Sequence, residues 1–195
     1  MSTNGSTYVE DRLQIADLIT GWMHRDLAQW DKLRELFHPD GTIEITWFQG
    51  LGHDFVEASR GMGASDFRTK HMIGTPVVTF NGTKAIVETN SEVLGENVRL
   101  GIACDSHARF YDRVEKRDGV WRISHRASVY DMGTFTFPTK MYEIDAEIVN
   151  RYPREYAALA YCLDLSGFPI KRVQATKGSA LEKEMKAAAQ EWLAS

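Results

Sequence analysis

Cysteine is scarce in this sequence, and the two cysteines present exclude several classes of protein. Cys104 and Cys162 lie far apart, outside any Cys-x-x-Cys or Cys/His cluster. They therefore suggest neither a disulfide framework nor a zinc site, and they fit a reduced compartment. The histidines before residue 75 are not at ligand spacings such as His-Glu-x-x-His, so no metal is expected.

Excess positive charge and long apolar runs are also lacking. With 23 Lys and Arg against 27 Asp and Glu, the formal net charge is −4, which argues against a nucleic-acid partner. No run reaches membrane-spanning length, so no membrane association is expected. The first seven residues have neither a positively charged start nor an apolar segment, which indicates no signal peptide and a cytoplasmic protein.

The length fits one domain with an appendage. At 195 residues with 43% apolar residues, the chain is long enough for one well-filled core and short for two. We predict a single domain over residues 8–137. Residues 138–195 then form a helical C-terminal extension that covers the pocket or a neighbouring subunit.

Hydrophobic periodicity predicts helices first and long strands after them. Apolar residues at three- and four-residue steps indicate an amphipathic helix over 9–30, and a short helix follows over 32–37. Pro39-Asp40-Gly41 predicts a turn, and the Gly-rich stretch 50–65 predicts a flexible segment with a short helix at best. Strands are predicted at 42–48, 71–80, 84–94, 99–114 and 120–129, and tail helices at 152–163 and 180–193.

This order of elements predicts an α+β fold. Asn81-Gly82 is a strong hairpin signal between two of the strands. Helices followed by a meander of strands are typical of a curved sheet, mixed or antiparallel, with helices covering one face. The concave face of such a sheet is where a pocket is expected.

Asp26 and His71 are the residues best suited to acid–base chemistry. Asp26 lies one turn after Trp22, on the apolar side of the first helix, where a carboxylate is costly unless it is paired. A histidine whose Nδ1–H donates to a buried carboxylate keeps one tautomer, and its Nε2 can take a proton from a substrate. Taken alone, the simpler interpretations are a solvated charge at Asp26 and an ordinary half-buried histidine at His71.

Four segments carry a family resemblance. They are Asp26 to Phe48, with Trp30-Asp31-Lys32-Leu33-Arg34 and Pro39, then Arg68-Thr69-Lys70-His71-Met72-Ile73-Gly74, Ser106-His107-Ala108 and Asp118-Gly119-Val120-Trp121. In residues and order they resemble scytalone dehydratase, within the SnoaL-like family of the nuclear-transport-factor-two-like superfamily. The resemblance implies a cone-shaped α+β barrel whose N-terminal helices enclose a pocket, and a lyase that needs no cofactor.

The resemblance also implies roles and an assembly. Asp26 and His71 match the catalytic aspartate–histidine pair shared by scytalone dehydratase and hexachlorocyclohexane dehydrochlorinase. Resembling enzymes are commonly trimers, so the expected assembly is a homo-oligomer, trimer first and dimer second.

Three positions depart from the family pattern. Scytalone dehydratase has tyrosines where this chain has Arg25 and Ile45, and its second catalytic histidine falls near Gly95. The base is therefore retained while the groups that polarise the substrate carbonyl are not, so scytalone itself is not the expected substrate. Arg25 is expected to turn outward from its helix.

Aromatic and small polar residues are the candidate walls of the pocket. The predicted substrate-binding residues are Trp22, Trp47, Phe48, His53, Ser106, Phe110, Tyr130 and Phe135. His53 is placed in the flexible stretch as an acid on a lid. Strand alternation puts Ser106 and Phe110 on one face and His107 and Arg109 on the other. The register of the family that the chain resembles implies that the first face meets the pocket, unless the register slips by one residue. The alternative is that these aromatic residues are plain core.

A small-molecule substrate, bulky and apolar or aromatic, follows from these walls. Under the lyase interpretation His71 removes a proton, and water, halide or formaldehyde leaves from the adjacent bond. An isomerase or cyclase would use the same base and keep every atom. A different class, a non-catalytic ligand-binding or oligomerisation module, also fits, because a fold does not fix a function.

Overall fold

The computed structural model describes residues 8–195. Residues 1–7, in which no signal peptide is expected, lie outside that range. Among the described residues, no helix is both long and apolar enough to cross a membrane.

Four short helices form the N-terminal part: α1 (Val9–Thr20), α2 (Met23–Asp26), α3 (Trp30–Glu35) and α4 (Gly52–Gly63). The single helix predicted over 9–30 is wrong, because the chain turns at Gly21 and again at Ala28, whose φ is 54°. A Cβ at Gly21 would lie 2.8 Å from a side-chain carbon of Leu36, so the break allows close packing there. The glycine-rich stretch is mostly the helix α4, not a flexible segment.

Within residues 8–195, eight strands form one sheet. They are β1 (Phe37–Ile45), β2 (Phe48–Leu51), β3 (Phe67–Ile73), β4 (Val77–Asn81), β5 (Lys84–Asn97), β6 (Ile102–Arg117), β7 (Val120–Thr136) and β8 (Ala175–Thr176). The main order is β2-β1-β7-β6-β5-β3, with β4 also pairing β5 and β8 pairing β7. β1 and β8 run parallel to β7, and the other pairs are antiparallel, so the sheet is mixed.

Of the two turns predicted from the sequence, one forms a hairpin and the other lies within a strand. Asn81 pairs with Lys84 across Gly82, which has φ of 60°, so the predicted β4–β5 hairpin is confirmed. The predicted turn at Pro39-Asp40-Gly41 lies inside β1 instead, where the pairing with β7 is irregular between Phe37 and Thr42. A Cβ at Gly41 would lie 2.5 Å from the carbonyl oxygen of Ile123, so a glycine lets the two strands approach there.

The concave face of the sheet is lined by apolar side chains and covered by helices, as the predicted cone-shaped α+β fold requires. α5 (Ala146–Val149) and α6 (Ala157–Leu165) belong to the tail, and α6 packs on β6 and β7. α7 (Ala180–Ala194) carries several charged residues. It nevertheless buries Ala189 and Leu193 against Ile86 and Tyr111 on the outer face, because its apolar residues lie along one side.

Candidate active site

Asp26 and His71 meet through two hydrogen bonds. Asp26 ends α2 and His71 lies on β3, 45 residues later. His71 Nδ1 lies 2.7 Å from Asp26 Oδ1, and the backbone N–H of His71 donates to Asp26 Oδ2 at 2.7 Å. The Asp26 side chain is 2% exposed and that of His71 is 11% exposed. Nδ1 therefore faces the carboxylate, and Nε2 is the ring nitrogen left for a molecule in the cavity.

Burial and neighbouring charge keep this pair in a reactive form. Burial lowers the pKa of His71 below its usual 6.5, although the hydrogen bond that His71 donates to Asp26 opposes that effect and the charge of Arg25 adds to it. Burial alone would raise the pKa of Asp26, but the hydrogen bonds that it accepts from His71, together with the nearby charge of Arg25, lower it. At neutral pH the pair is thus a neutral imidazole held by a carboxylate, which is the form a general base needs.

A cavity of about 540 Å³, counting the space at its mouth, opens beside His71. Its wall is mainly apolar and draws on the concave sheet face, α2, α4 and α6. The lining residues are Trp22, Arg25, Ile45, Thr46, Trp47, Met62, Phe67, Thr69, His71, Ser91, Glu92, Val93, Phe110, Ser128, Tyr130, Leu159 and Leu163.

Four of the predicted substrate-binding residues line this cavity: Trp22, Trp47, Phe110 and Tyr130. Trp22 packs edge-on against His71, with the ring centres 6.0 Å apart, and so holds the imidazole from the side. The hydroxyl of Tyr130 accepts a hydrogen bond from the backbone N–H of Thr46 at 3.1 Å, which orients the phenol at the wall.

The other four predicted substrate-binding residues do not line this cavity. Phe48 packs edge-on against Trp47 and Phe55, and Phe135 packs against Tyr161. Ser106 is fully buried, and its hydroxyl has no partner among the described residues. His53 lies in the first turn of α4, because the segment assumed to be a lid is a helix packed on β1.

The register of β6 follows the predicted alternation. Ser106, Ala108 and Phe110 point to the concave face and are buried, whereas His107 lies exposed on the opposite face. Arg109, on that outer face, binds Asp131, Glu88 and Glu182.

At Gly95, a Cβ would lie 2.6 Å from Phe67 Cζ, so the Phe67 ring occupies the space that a second histidine would need.

Arg25 does not turn outward, which corrects the sequence-based expectation. It is 8% exposed and lines the cavity beside His71. Its Nη1 donates to Thr69 Oγ1 at 2.5 Å, and its Nη2 lies 3.1 Å from Met62 Sδ. The expectation assumed one continuous helix, but the break at Gly21 and Trp22 reorients α2.

A buried ion pair that was not predicted from the sequence lies beneath Trp22. Arg126 donates to both carboxylate oxygens of Asp112, at 2.8 and 2.7 Å, and both side chains are fully buried. The guanidinium carbon lies 4.0 Å from the ring centre of Phe110 and 4.5 Å from that of Trp22. The alternation of residues along β6 could have predicted that Asp112 is buried, because Asp112 lies on the same strand face as Phe110. A buried aspartate in turn requires a partner such as Arg126.

The tail supplies part of the cavity roof through Leu159 and Leu163 of α6. The extension predicted over 138–195 therefore includes one helix that covers the pocket.

No group of three or more His, Cys, Asp or Glu side chains within residues 8–195 could hold a metal ion.

Together, a cone-shaped α+β fold and an apolar cavity with a buried histidine–carboxylate pair define a class of small-molecule pocket proteins. The chain belongs to the SnoaL-like domain family, whose model matches residues 7–127. The resemblance stated from the sequence is thereby confirmed at the level of the family.

Curated relatives come from fungi. The chain is 29% identical over 171 residues to an uncharacterized protein of Emericella nidulans, covering 81% of this chain and 72% of the relative. It is 28% identical over 159 residues to pea pathogenicity protein 2 of Fusarium vanettenii, covering 77% and 68% respectively.

Solved structures share the fold. A protein of Novosphingobium aromaticivorans, provisionally described as a scytalone dehydratase, superposes with a TM-score of 0.56 at 21% identity, covering 73% of this chain and 96% of that one. A hexachlorocyclohexane dehydrochlorinase, LinA type 2, gives a TM-score of 0.59 at 19% identity, covering 72% and 97%. At these identities the similarity establishes the fold alone.

Proposed function

We propose that this protein is a cofactor-independent lyase in which His71 is the general base and Asp26 its partner. The observation that carries the proposal is the 2.7 Å contact between His71 Nδ1 and Asp26 Oδ1 at the wall of an apolar cavity. A buried pair of a carboxylate and a neutral imidazole does not stabilise the fold more than a pair of apolar side chains would. General-base catalysis, in contrast, requires such a pair.

The chemistry needs one proton transfer and one bond cleavage. Nε2 of His71 takes a proton from a substrate carbon, the electron pair forms a double bond, and water or halide leaves from the adjacent carbon. In a retro-aldol version the proton comes from a hydroxyl, whose oxygen forms the carbonyl of the departing formaldehyde. The electron pair of the broken C–C bond passes to the remaining carbon, which takes the proton back from His71. Asp26 stabilises the imidazolium that forms in either version, through the hydrogen bond it already makes.

The cavity wall favours a bulky apolar or aromatic substrate. Trp22, Trp47 and Phe110 offer ring surfaces on which an aromatic group can pack. Two hydroxyls, those of Ser128 and Tyr130, belong to the same wall and can hydrogen-bond a leaving group. Two structural neighbours, one provisionally described as a scytalone dehydratase and the other as a hexachlorocyclohexane dehydrochlorinase, carry the names of lyases. These names support a lyase over an isomerase or cyclase with the same base.

Product mass tests the proposal. Wild-type protein and His71→Ala are incubated without added cofactor with hydroxylated, halogenated and diaryl-propane aromatics, and products are analysed by mass spectrometry. We expect loss of water, halide or formaldehyde with wild type alone. A product of unchanged mass would indicate an isomerase or cyclase, and no turnover across the panel would favour a non-catalytic binding module.

A further inference from the structure

Arg25 is a buried cation with most of its hydrogen-bonding capacity unused. A guanidinium carries five N–H donors. In the described part of the chain, Arg25 uses one donor on Thr69 and one on the sulfur of Met62, which is a weak acceptor. Its Nε is buried and has no partner there.

The other buried arginine of this region is held quite differently. Arg126 is fully buried and binds Asp112 through two parallel hydrogen bonds. Arg25, by contrast, makes no hydrogen bond to a carboxylate among residues 8–195. Its neighbour in sequence, Asp26, already directs both oxygens to His71. The charge of Asp26 acts on Arg25 only through space, without a hydrogen bond. A structural arginine would be expected to resemble Arg126, because a buried guanidinium without a hydrogen-bonded carboxylate is costly.

The charge and position of Arg25 indicate which ligand group could bind its unused N–H donors. Burial lowers the pKa of Arg25 to about 10, so the group is still a cation at neutral pH. It lies at the cavity wall with His71, and its guanidinium carbon is 6.0 Å from the ring centre of Trp47. A ligand in the cavity can therefore place an apolar body against the aromatic rings and an oxygen near Arg25.

We propose that Arg25 receives a carboxylate of the substrate, so that the substrate is an aromatic or similarly apolar acid. This inference rests on the proposed function in taking the cavity as the substrate site. Carboxylate is the natural partner because its two oxygens match the guanidinium fork and it neutralises the charge. The carboxylate also anchors the substrate beside the base, which limits the orientations in which a proton faces Nε2 of His71.

Binding of a matched pair of probes tests this assignment without any turnover. The probes are 2-naphthoate and 2-naphthamide, which have the same ring system and differ in charge at neutral pH. Isothermal titration calorimetry on the full chain at about pH 7.5 is expected to give at least ~10-fold tighter binding of the acid to wild type. In Arg25→Gln the preference is expected to shrink to about twofold or less.

Two controls separate this inference from the proposed function. His71→Gln is expected to keep the preference for 2-naphthoate, because the imidazole it replaces is neutral. Arg68→Gln removes an exposed arginine that donates to the backbone oxygens of Gly63 and Ser65, and it should also keep the preference. If His71 proves catalytically irrelevant while the acid preference depends on Arg25, only the proposed function fails.

Folding is checked on the same variants. Removing a buried cation that lacks a carboxylate partner is expected to leave the melting temperature of Arg25→Gln unchanged or slightly raised. Arg25→Met, with an apolar side chain of similar length, is the second variant. Equal binding of acid and amide to wild type, or an acid preference that survives in Arg25→Gln, would overturn the assignment. So would unfolding of both Arg25 variants, because it would give Arg25 a structural role.

Discussion

Replacing His71 with glutamine is expected to lower kcat by about 10²- to 10⁴-fold, the usual contribution of a general base. Glutamine is chosen because its side-chain N–H can still donate to Asp26, so the buried carboxylate keeps a partner. Its amide has no basic nitrogen, however, and cannot take a proton from the substrate. The rate is measured on the substrate found in the product screen, with KM determined separately so that loss of binding is not mistaken for loss of chemistry.

Asp26→Asn is expected to lower kcat over a similar range by a different route. The single side-chain oxygen of asparagine can still accept the hydrogen bond from the backbone N–H of His71. In that orientation the side-chain NH₂ faces Nδ1 of His71. Nδ1 must then be the acceptor and Nε2 carries the proton, so the base has the wrong tautomer. The double variant should be no slower than the slower single variant, because the two residues act as a unit.

An exposed histidine provides the matched control. His107 lies on the outer face of β6, and His107→Gln should keep wild-type kcat. Wild-type rates in both His71→Gln and Asp26→Asn, with folding intact by circular dichroism, would contradict the proposed base.

The second large effect concerns stability. Asp112→Asn is expected to lower the free energy of unfolding by about 3–5 kcal/mol, because it leaves the guanidinium of Arg126 buried without a counter-charge. Both side chains of this pair are fully buried, and Arg126 also contacts the rings of Trp22 and Phe110. Urea denaturation of wild type and variant measures the difference.

Two controls show whether the charge or the volume matters. The double variant Asp112→Leu/Arg126→Met replaces both charges by apolar groups and should regain much of the lost stability. Glu57→Gln removes the exposed pair between Arg34 and Glu57, and it should cost less than about 1 kcal/mol. A loss in Asp112→Asn no larger than that of Glu57→Gln would mean that water reaches Arg126.

The fold could be predicted where local signals agreed with the tertiary arrangement. The Asn81-Gly82 hairpin and the long strands that follow it have clear turn and alternation patterns, and the family resemblance supplied the cone shape. The first helix was predicted as one piece because its apolar spacing continues past Gly21. At this break Gly21 packs against Leu36, which lies at the C-terminal end of α3. A contact with another helix cannot be read from the apolar spacing of α1 itself.

The site shows the same division. Asp26 and His71 could be proposed because carboxylate and imidazole have few uses on apolar faces, and the resemblance linked them. Arg25 was misassigned because its orientation depends on that unpredicted helix break. Leu159 and Leu163 were missed as cavity residues because α6 reaches the cavity from about 90 positions beyond His71, a distance that periodicity cannot bridge. His53 was misplaced because the glycines of α4 were interpreted as a loop signal.

The most direct test of the account is the protonation state of His71, observed by NMR with ¹⁵N-labelled histidine and assigned by comparison with His71→Gln. At about pH 7.5 we expect a neutral ring with the proton on Nδ1, and the opposite tautomer in Asp26→Asn. On lowering the pH, the midpoint of protonation should lie below the usual histidine pKa, and activity should fall as the pH passes through that midpoint. An imidazolium at pH 7.5, or a proton on Nε2 in the wild type, would contradict the assignment of His71 as the base.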